Sequence, residues 1–159
     1  MPGIDDFLHR QTEIIERVGW AVMHILPTDE DPDTVAPHSY TVGLTPRIAP
    51  EFVITGLPPG IAQPLLNDMA ERVFHGAGPV AHGTRVSDLI AGFDAIIVDG
   101  TATEQVVAGV AVARYGVEQV RLQQIVWPDP HGRFPWDTDY SFAADTQPLI
   151  GHPGADRPG

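Results

Sequence analysis

The chain has 159 residues, 43% of them hydrophobic, with 16 Gly, 16 Pro, no Cys and a formal charge of -12. That is enough chain to bury a core in one domain, and too acidic a balance to favour nucleic acid or an anionic membrane surface. All nine basic residues are arginine, so lysine Schiff bases, P-loop lysines, disulfides, thiolate nucleophiles and cysteine-based metal clusters are excluded together.

The N-terminal MPGIDDFLHR is acidic and has no apolar core, unlike a secretory signal. No apolar run is long enough to cross a bilayer, so the expected setting is cytoplasmic. Residues 4–18 predict a helix: Phe7, Leu8, Ile14, Ile15 and Val18 recur near a 3.6-residue period, Asp5 and Asp6 suit the positive end of the helix dipole, and Gly19 supplies a stop. WAVMHIL (20–26) predicts a strand and PTDEDPDTVAP (27–37) a loop. HSYTVGL (38–44) and EFVITGL (51–57) predict two hairpin strands joined by TPRIAP. A second helix starts close to residue 60, because Pro64 is tolerated only near a first turn. Ile61, Leu65, Met69 and Val73 form its ladder with Leu66 alongside, and Gly76 and Gly78 end it.

PVAHG (79–83) is a candidate strand, VSDLIAG (86–92) a turn or single helical turn, and FDAIIVD (93–99) a buried strand. TATEQVVAGVAVARYG (101–116) carries conflicting signals. Its valines suit a strand, whereas Thr101 and Glu104 have capping-box spacing and Arg114 with Gly116 suits a helix ending; a helix over 102–115 is expected. EQVRLQQIVW (118–127) is the last strand. Strands in consecutive groups with about three helices predict an α+β fold with a largely antiparallel sheet or small barrel. One globular domain is expected over 1–142, followed by a loosely ordered tail over 143–159.

The densest cluster of unusual residues is QQIVWPDPHGRFPWD (123–137). Asp129-Pro130-His131-Gly132 fits a type I turn, with the Asp129 side chain either bonding nearby amides or standing as a carboxylate in a cleft. Arg133 pairs with Asp129 or Asp137 across the turn, or clamps an anion. Trp127 and Trp136 read as core or rim aromatics whose indole N–H needs a partner. Gln124 shares a strand face with Val120, Leu122 and Val126. An inward amide must be satisfied, either by backbone at a sheet edge or by lining a pocket. Arg121 and Gln123 fall on the opposite face and read as solvated.

His38, Tyr40 and Thr41 gather where a strand begins, which puts acid–base groups side by side. The seven histidines form no HxH, HxxxH or HExxH pair. His24, His38 and His82 lie on expected strands and would have to converge in space to bind a metal. The acidic loop at 29–33 lacks EF-hand order and its glycine. There is no GxSxG, GxGxxG or GxxxxGK[ST] stretch.

SYTVGL (39–44), FVITGLPP (52–59), LLNDMAERV (65–73) and LQQIVWPDPHGRFPWD (122–137), in this order and spacing, resemble the bacterial domain of unknown function 4262 family over about residues 5–140. The resemblance implies a small intracellular domain and supplies no mechanism. A site of that family would fall here on Tyr40, Thr41, Gly43, Trp127, Asp129, Gly132, Arg133 and Trp136. With Gln124 from the strand pattern, the candidate ligand- or partner-binding set is Tyr40, Thr41, Gln124, Trp127, Asp129, Arg133 and Trp136, with no catalytic residue and no metal ligand assigned.

The leading expectation is a non-catalytic binding or regulatory module whose partner is a protein or small molecule. A second is a cofactor-binding enzyme of the split-barrel flavin type, with the phosphate on Arg47, Arg85, Arg121 or Arg133. A third is a histidine-based metal hydrolase. Whether the chain is an enzyme, which cofactor it takes and whether it self-associates are left open by the residues.

Overall fold

In the computed structural model, which describes residues 3–31, 33–76 and 78–153, three α-helices flank one six-stranded sheet. Helix α1 (Ile4–Val18) occupies the predicted range, and it stops where Gly19 turns left-handed at φ 114° and donates its N–H to Ile15 O. Ile15 packs inward, but Phe7, Ile14 and Val18 remain 41%, 39% and 44% exposed, so the apolar stripe is only partly covered.

Strands β1 (Ala21–Ile25), β2 (His38–Val42) and β3 (Glu51–Thr55) form an antiparallel meander. The hairpin connection tightens into a 3₁₀ turn at Thr45–Arg47. Helix α2 (Pro59–His75) crosses over to a second group made of β4 (Arg85–Ile90), β5 (Phe93–Gly100) and β6 (Leu122–Val126), with helix α3 (Gly109–Tyr115) between the last two. β3 and β6 pair in parallel, giving the order β1-β2-β3-β6-β5-β4. The expected α+β architecture and mostly antiparallel pairing are present. The sheet stays open rather than closing into a barrel, with β1 and β4 at its two edges.

Four local expectations need correction. VSDLIAG contributes a strand, not a turn: Arg85–Ile90 pairs with β5 across a register shift between Val86 and Ile90, and the irregularity breaks the two-residue period that marks a strand. PVAHG (79–83) is not a strand but an irregular turn. The third helix begins at Gly109 rather than near residue 102. Ahead of it, Thr103, not Thr101, makes the side-chain turn, accepting the N–H groups of Gln105 and Val106, and Val106 is fully buried from this irregular segment. The last strand is also shorter than expected, since 118–121 precede the ladder as a turn and connection.

The α2 ladder splits between two roles. Ala62, Leu66, Met69, Ala70 and Val73 pack onto Phe52, Ile54, Ala95, Ile97 and Ile125 of the sheet, whereas Ile61 is 54% exposed. On the opposite face Tyr40, Val42, Val53 and Leu122 pack with Ile15 of α1, with Val106 ahead of α3 and with Ala111 of α3.

Past β6 the chain returns across the sheet. Gln124 Nε2 donates to Pro148 O at 2.8 Å and Thr55 Oγ1 at 3.2 Å, and its Oε1 accepts the Ile150 N–H at 2.9 Å. Gln147 clasps the backbone of Trp127, accepting its N–H at 2.9 Å and donating to its carbonyl at 2.8 Å. Within the stretch expected as a loose tail over 143–159, Gln147, Pro148 and Ile150 are thus buried and fastened to the sheet, and 154–159 lie outside the described residues. Gln124→Leu keeps the volume but strands the Ile150 N–H and Pro148 carbonyl. Thermal denaturation should show a loss of about 3 kcal/mol, or a Tm lower by roughly 6–12 °C for a chain of this size. Amide exchange at Ile150 should accelerate.

Candidate functional site

β6 ends at Trp127-Pro128 because proline has no N–H for the ladder. Asp129 then closes the turn. Its N–H donates to Arg133 O at 2.8 Å, Oδ1 accepts from the amides of His131 (2.8 Å) and Arg133 (3.0 Å), and Oδ2 accepts from Ser141 N (2.9 Å) and Oγ (2.8 Å). Burial pushes this carboxyl up, but the amides of Arg133, Ser141 and His131 and the Ser141 hydroxyl outweigh it and hold it well below the usual carboxylate range. Both oxygens are committed to the turn. Asp129 is the turn-former its neighbours implied, not a free base.

Trp127 is set by its indole, whose Nε1–H donates to Thr55 O at 2.8 Å, and its ring meets Phe142 at 6.0 Å. These rings form one wall of a cleft of about 610 Å³. Leu57 and the first turns of α2, with Ile61, Pro64 and Leu65, make a second wall. Leu89 to Phe93, around the tip of the β4–β5 hairpin, makes a third. Asp129 is the single ionisable side chain lining it, and its carboxylate is already saturated. The cleft offers apolar burial and almost no unsatisfied polar anchor.

The other candidate residues do not gather there. Tyr40 is buried beneath α3, its hydroxyl accepting the Val110 N–H at 3.0 Å, and burial raises its pKa. Thr41 points to the other face, donating to Glu51 and accepting the Phe52 N–H. Gln124 lies under the returning 148–150 segment. Arg133 pairs with neither Asp129 nor Asp137 but with Asp139, Nε to Oδ2 at 3.0 Å. Trp136 stacks on Phe134 at 5.2 Å, among Ile96, Val98 and Val126. Only Trp127 and Asp129 of the set border the cleft. Ile61, Leu65 and Phe142 were passed over because a helical ladder and a turn-rich tail read as core and coil.

His24, His38 and His82 do not converge. His38 is held by Ala36 O and the Val107 backbone, and His82 by the Asp99 amide. His24 Nδ1 lies 2.7 Å from Ser39 Oγ and its Nε2 lies 3.0 Å from Gln63 Oε1. That order resembles nucleophile, base and orienting group, yet Ser39 is 2% exposed in the middle of β2, closed to a substrate. Among the described residues, no three His, Asp or Glu side chains are grouped as a metal would need, and no helix is long and apolar enough to cross a membrane.

Glu51 escaped the sequence reading; its signal is a lone acid opening an apolar strand. It is fully buried and accepts five hydrogen bonds, from Thr41 Oγ1 (2.9 Å), Gly43 N (3.3 Å), Leu44 N (3.1 Å), Thr45 N (2.7 Å) and Thr45 Oγ1 (2.6 Å). Burial drives its pKa above the ordinary 4.5, against the hydrogen bonds of Thr45, Leu44 and Thr41 that favour the charge. It fastens the β2–β3 turn from inside.

Fold and cleft together define an α+β domain with an open mixed sheet and an apolar hollow past the end of its β6 strand. The chain belongs to the family described as domain of unknown function DUF4262, whose model matches residues 14–141. That span takes in every wall of the cleft except Phe142. No curated protein matches the chain, and no solved structure does.

The two buried acids respond oppositely to pH. Asp129 is lowered on folding, so it stabilises the fold above its ordinary 3.8, and that stabilisation is lost as pH falls toward its folded value. Asp129→Asn should lower Tm at pH 7 by roughly 5 °C or more, because an amide nitrogen cannot accept from Ser141. The gap to wild type should narrow below pH 3.8, and a gap unchanged on acidification would contradict this account. Glu51 is raised, so wild-type stability falls as pH climbs from 4.5 through the folded value. Glu51→Gln removes that slope and sets an NH₂ among donors; urea titrations should show a net loss of about 1–3 kcal/mol at neutral pH.

Proposed function

We propose that this chain is a non-catalytic binding module whose 610 Å³ cleft takes a small, uncharged, mainly apolar ligand. One observation carries the reading: the walls are apolar side chains, and the single carboxylate among them has both oxygens occupied by its own turn. A charged ligand would shed its hydration there without gaining a partner. An apolar one burying about 200 Å² gains on the order of 5 kcal/mol before the entropic cost of association. The size falls within the range of small-molecule pockets. The walls are also preset, because Trp127 is fixed by Thr55 O and by Gln147 before any ligand arrives. A flavin phosphate finds no arginine among the lining residues.

The neutral fluorophore N-phenyl-1-naphthylamine is a suitable probe. It should brighten on titration into the protein and quench Trp127. Ile61→Glu places a charge on the cleft wall at a position that is already 54% exposed, so the fold should survive. Affinity should drop at least about tenfold, equivalent to 1.4 kcal/mol. Equal affinity in the variant, measured at unchanged Tm, would sink the proposal.

A further inference from the structure

A second, smaller cleft of about 260 Å³ lies at the opposite end of β6, where the segment after α2 folds over the start of the strand. Its chemistry is the reverse of the first. Gln123, expected to be solvated, is only 2% exposed. Its Nε2 donates to Val80 O at 2.6 Å and to Asp99 Oδ1 at 2.8 Å. These two acceptors fix which end of the amide is which, so Oε1 is left as a buried acceptor on a residue lining the cleft, with no partner among the described residues. His82 Nδ1 accepts the Asp99 N–H at 2.8 Å, so the neutral ring carries its proton on Nε2, a buried donor that is likewise unpartnered. A buried polar atom left unpaired costs about 1–3 kcal/mol, and here one acceptor and one donor border the same small space. Arg121 adds a positive charge at the rim. It gives one N–H to Ile48 O at 3.2 Å and makes no ion pair among the described residues. Asp99 adds a negative charge beside Gln123.

An acceptor beside an anion, with a donor and a cation lining the same cleft, complements a molecule with one charge of each sign held close together. We infer that this cleft binds a small zwitterion of the α-amino acid type. The ammonium group donates to Gln123 Oε1 and faces Asp99; the carboxylate accepts from His82 Nε2–H and pairs with Arg121. A metal ion fits less well, because in this tautomer Nε2 carries a proton and has no lone pair to offer.

The test is a titration of the ¹⁵N-labelled protein with L-alanine, followed by NMR, alongside propionate and methylamine as half-molecules. Saturable shifts are expected at the Gln123 side-chain amide and at the backbone amides of Val80, His82, Asp99 and Gly100. Each half-molecule should bind more weakly than alanine. Arg121→Ala, at an exposed position, should weaken alanine binding at least about tenfold. If that variant loses its native spectrum, Asp99→Asn carries the test, since it retains an acceptor for Gln123 Nε2 and removes only the charge facing the ammonium. The inference is overturned if the Gln123 amide shows no saturable shift, if propionate binds as tightly as alanine, or if the charge-removing variant keeps the wild-type affinity.

Discussion

The side-chain amide of Gln124 stands in for backbone at the middle of the sheet. The chain that returns past β6 has no strand of its own, so the N–H of Ile150 and the carbonyl of Pro148 need partners where water is excluded. One glutamine offers both a donor and an acceptor in a rigid plane and satisfies the two together. In such a low-dielectric setting the satisfied network is firm and the half-satisfied one costly. The consequence spreads outward. Holding 148–150 in place positions Gln147, which grips the backbone of Trp127, while Trp127 also bonds Thr55 O on the neighbouring strand. The apolar cleft is therefore shaped by a buried polar chain beneath it.

The two interior carboxylates illustrate how an acidic chain keeps buried charge without buried counterions. Glu51 and Asp129 are both inaccessible, and neither pairs with an arginine side chain among the described residues. Amides and hydroxyls of tight turns surround each of them instead. The arginine pairs sit at the surface, Arg72 with Asp68 and Asp88, Arg85 with Asp94, Arg133 with Asp139, where an ion pair contributes little to stability. The two buried acids of the fold are turn clasps, each with its oxygens committed to the backbone and hydroxyls around it.

Much of the architecture is written locally. Helix α1 could be bounded to the residue because its charges, its period and a left-handed glycine agree, and the Asp129 turn could be read because Asp, Pro and Gly occupy positions with distinct backbone needs. β4 was illegible because a register irregularity between Val86 and Ile90 scrambles its alternation. The shortened third helix was misread because a buried valine on an irregular segment looks like one more helical contact. Gln124 stood out as a polar residue on an apolar face, yet its partners lie in a stretch without periodicity. Of the first cleft, only Trp127 and the turn beside it drew notice. Its other walls come from residues that look like ordinary core until tertiary packing leaves one side of them open. Gln123 read as solvated and His82 only as a member of a scattered histidine set, since whether a buried polar atom finds a partner depends on segments brought together only by folding.

The sheet is two antiparallel groups welded along one parallel seam. β1 to β3 are neighbours in sequence, and so are β4 to β6 apart from the α3 excursion. Of the strand pairs, the seam joins the parts of the chain that lie farthest apart, as where Val53 meets Gln124. Closing that long loop has a steep entropic threshold, and its contacts cannot form until both sides exist. Each half rests on pairings local in sequence, and the contact of β3 with β6 is what joins the two halves of the sheet. Glu51 opens β3 opposite Leu122, and Gln124 sits in the seam itself. Two buried polar side chains that satisfy the backbone around them thus sit at the joint between the two halves.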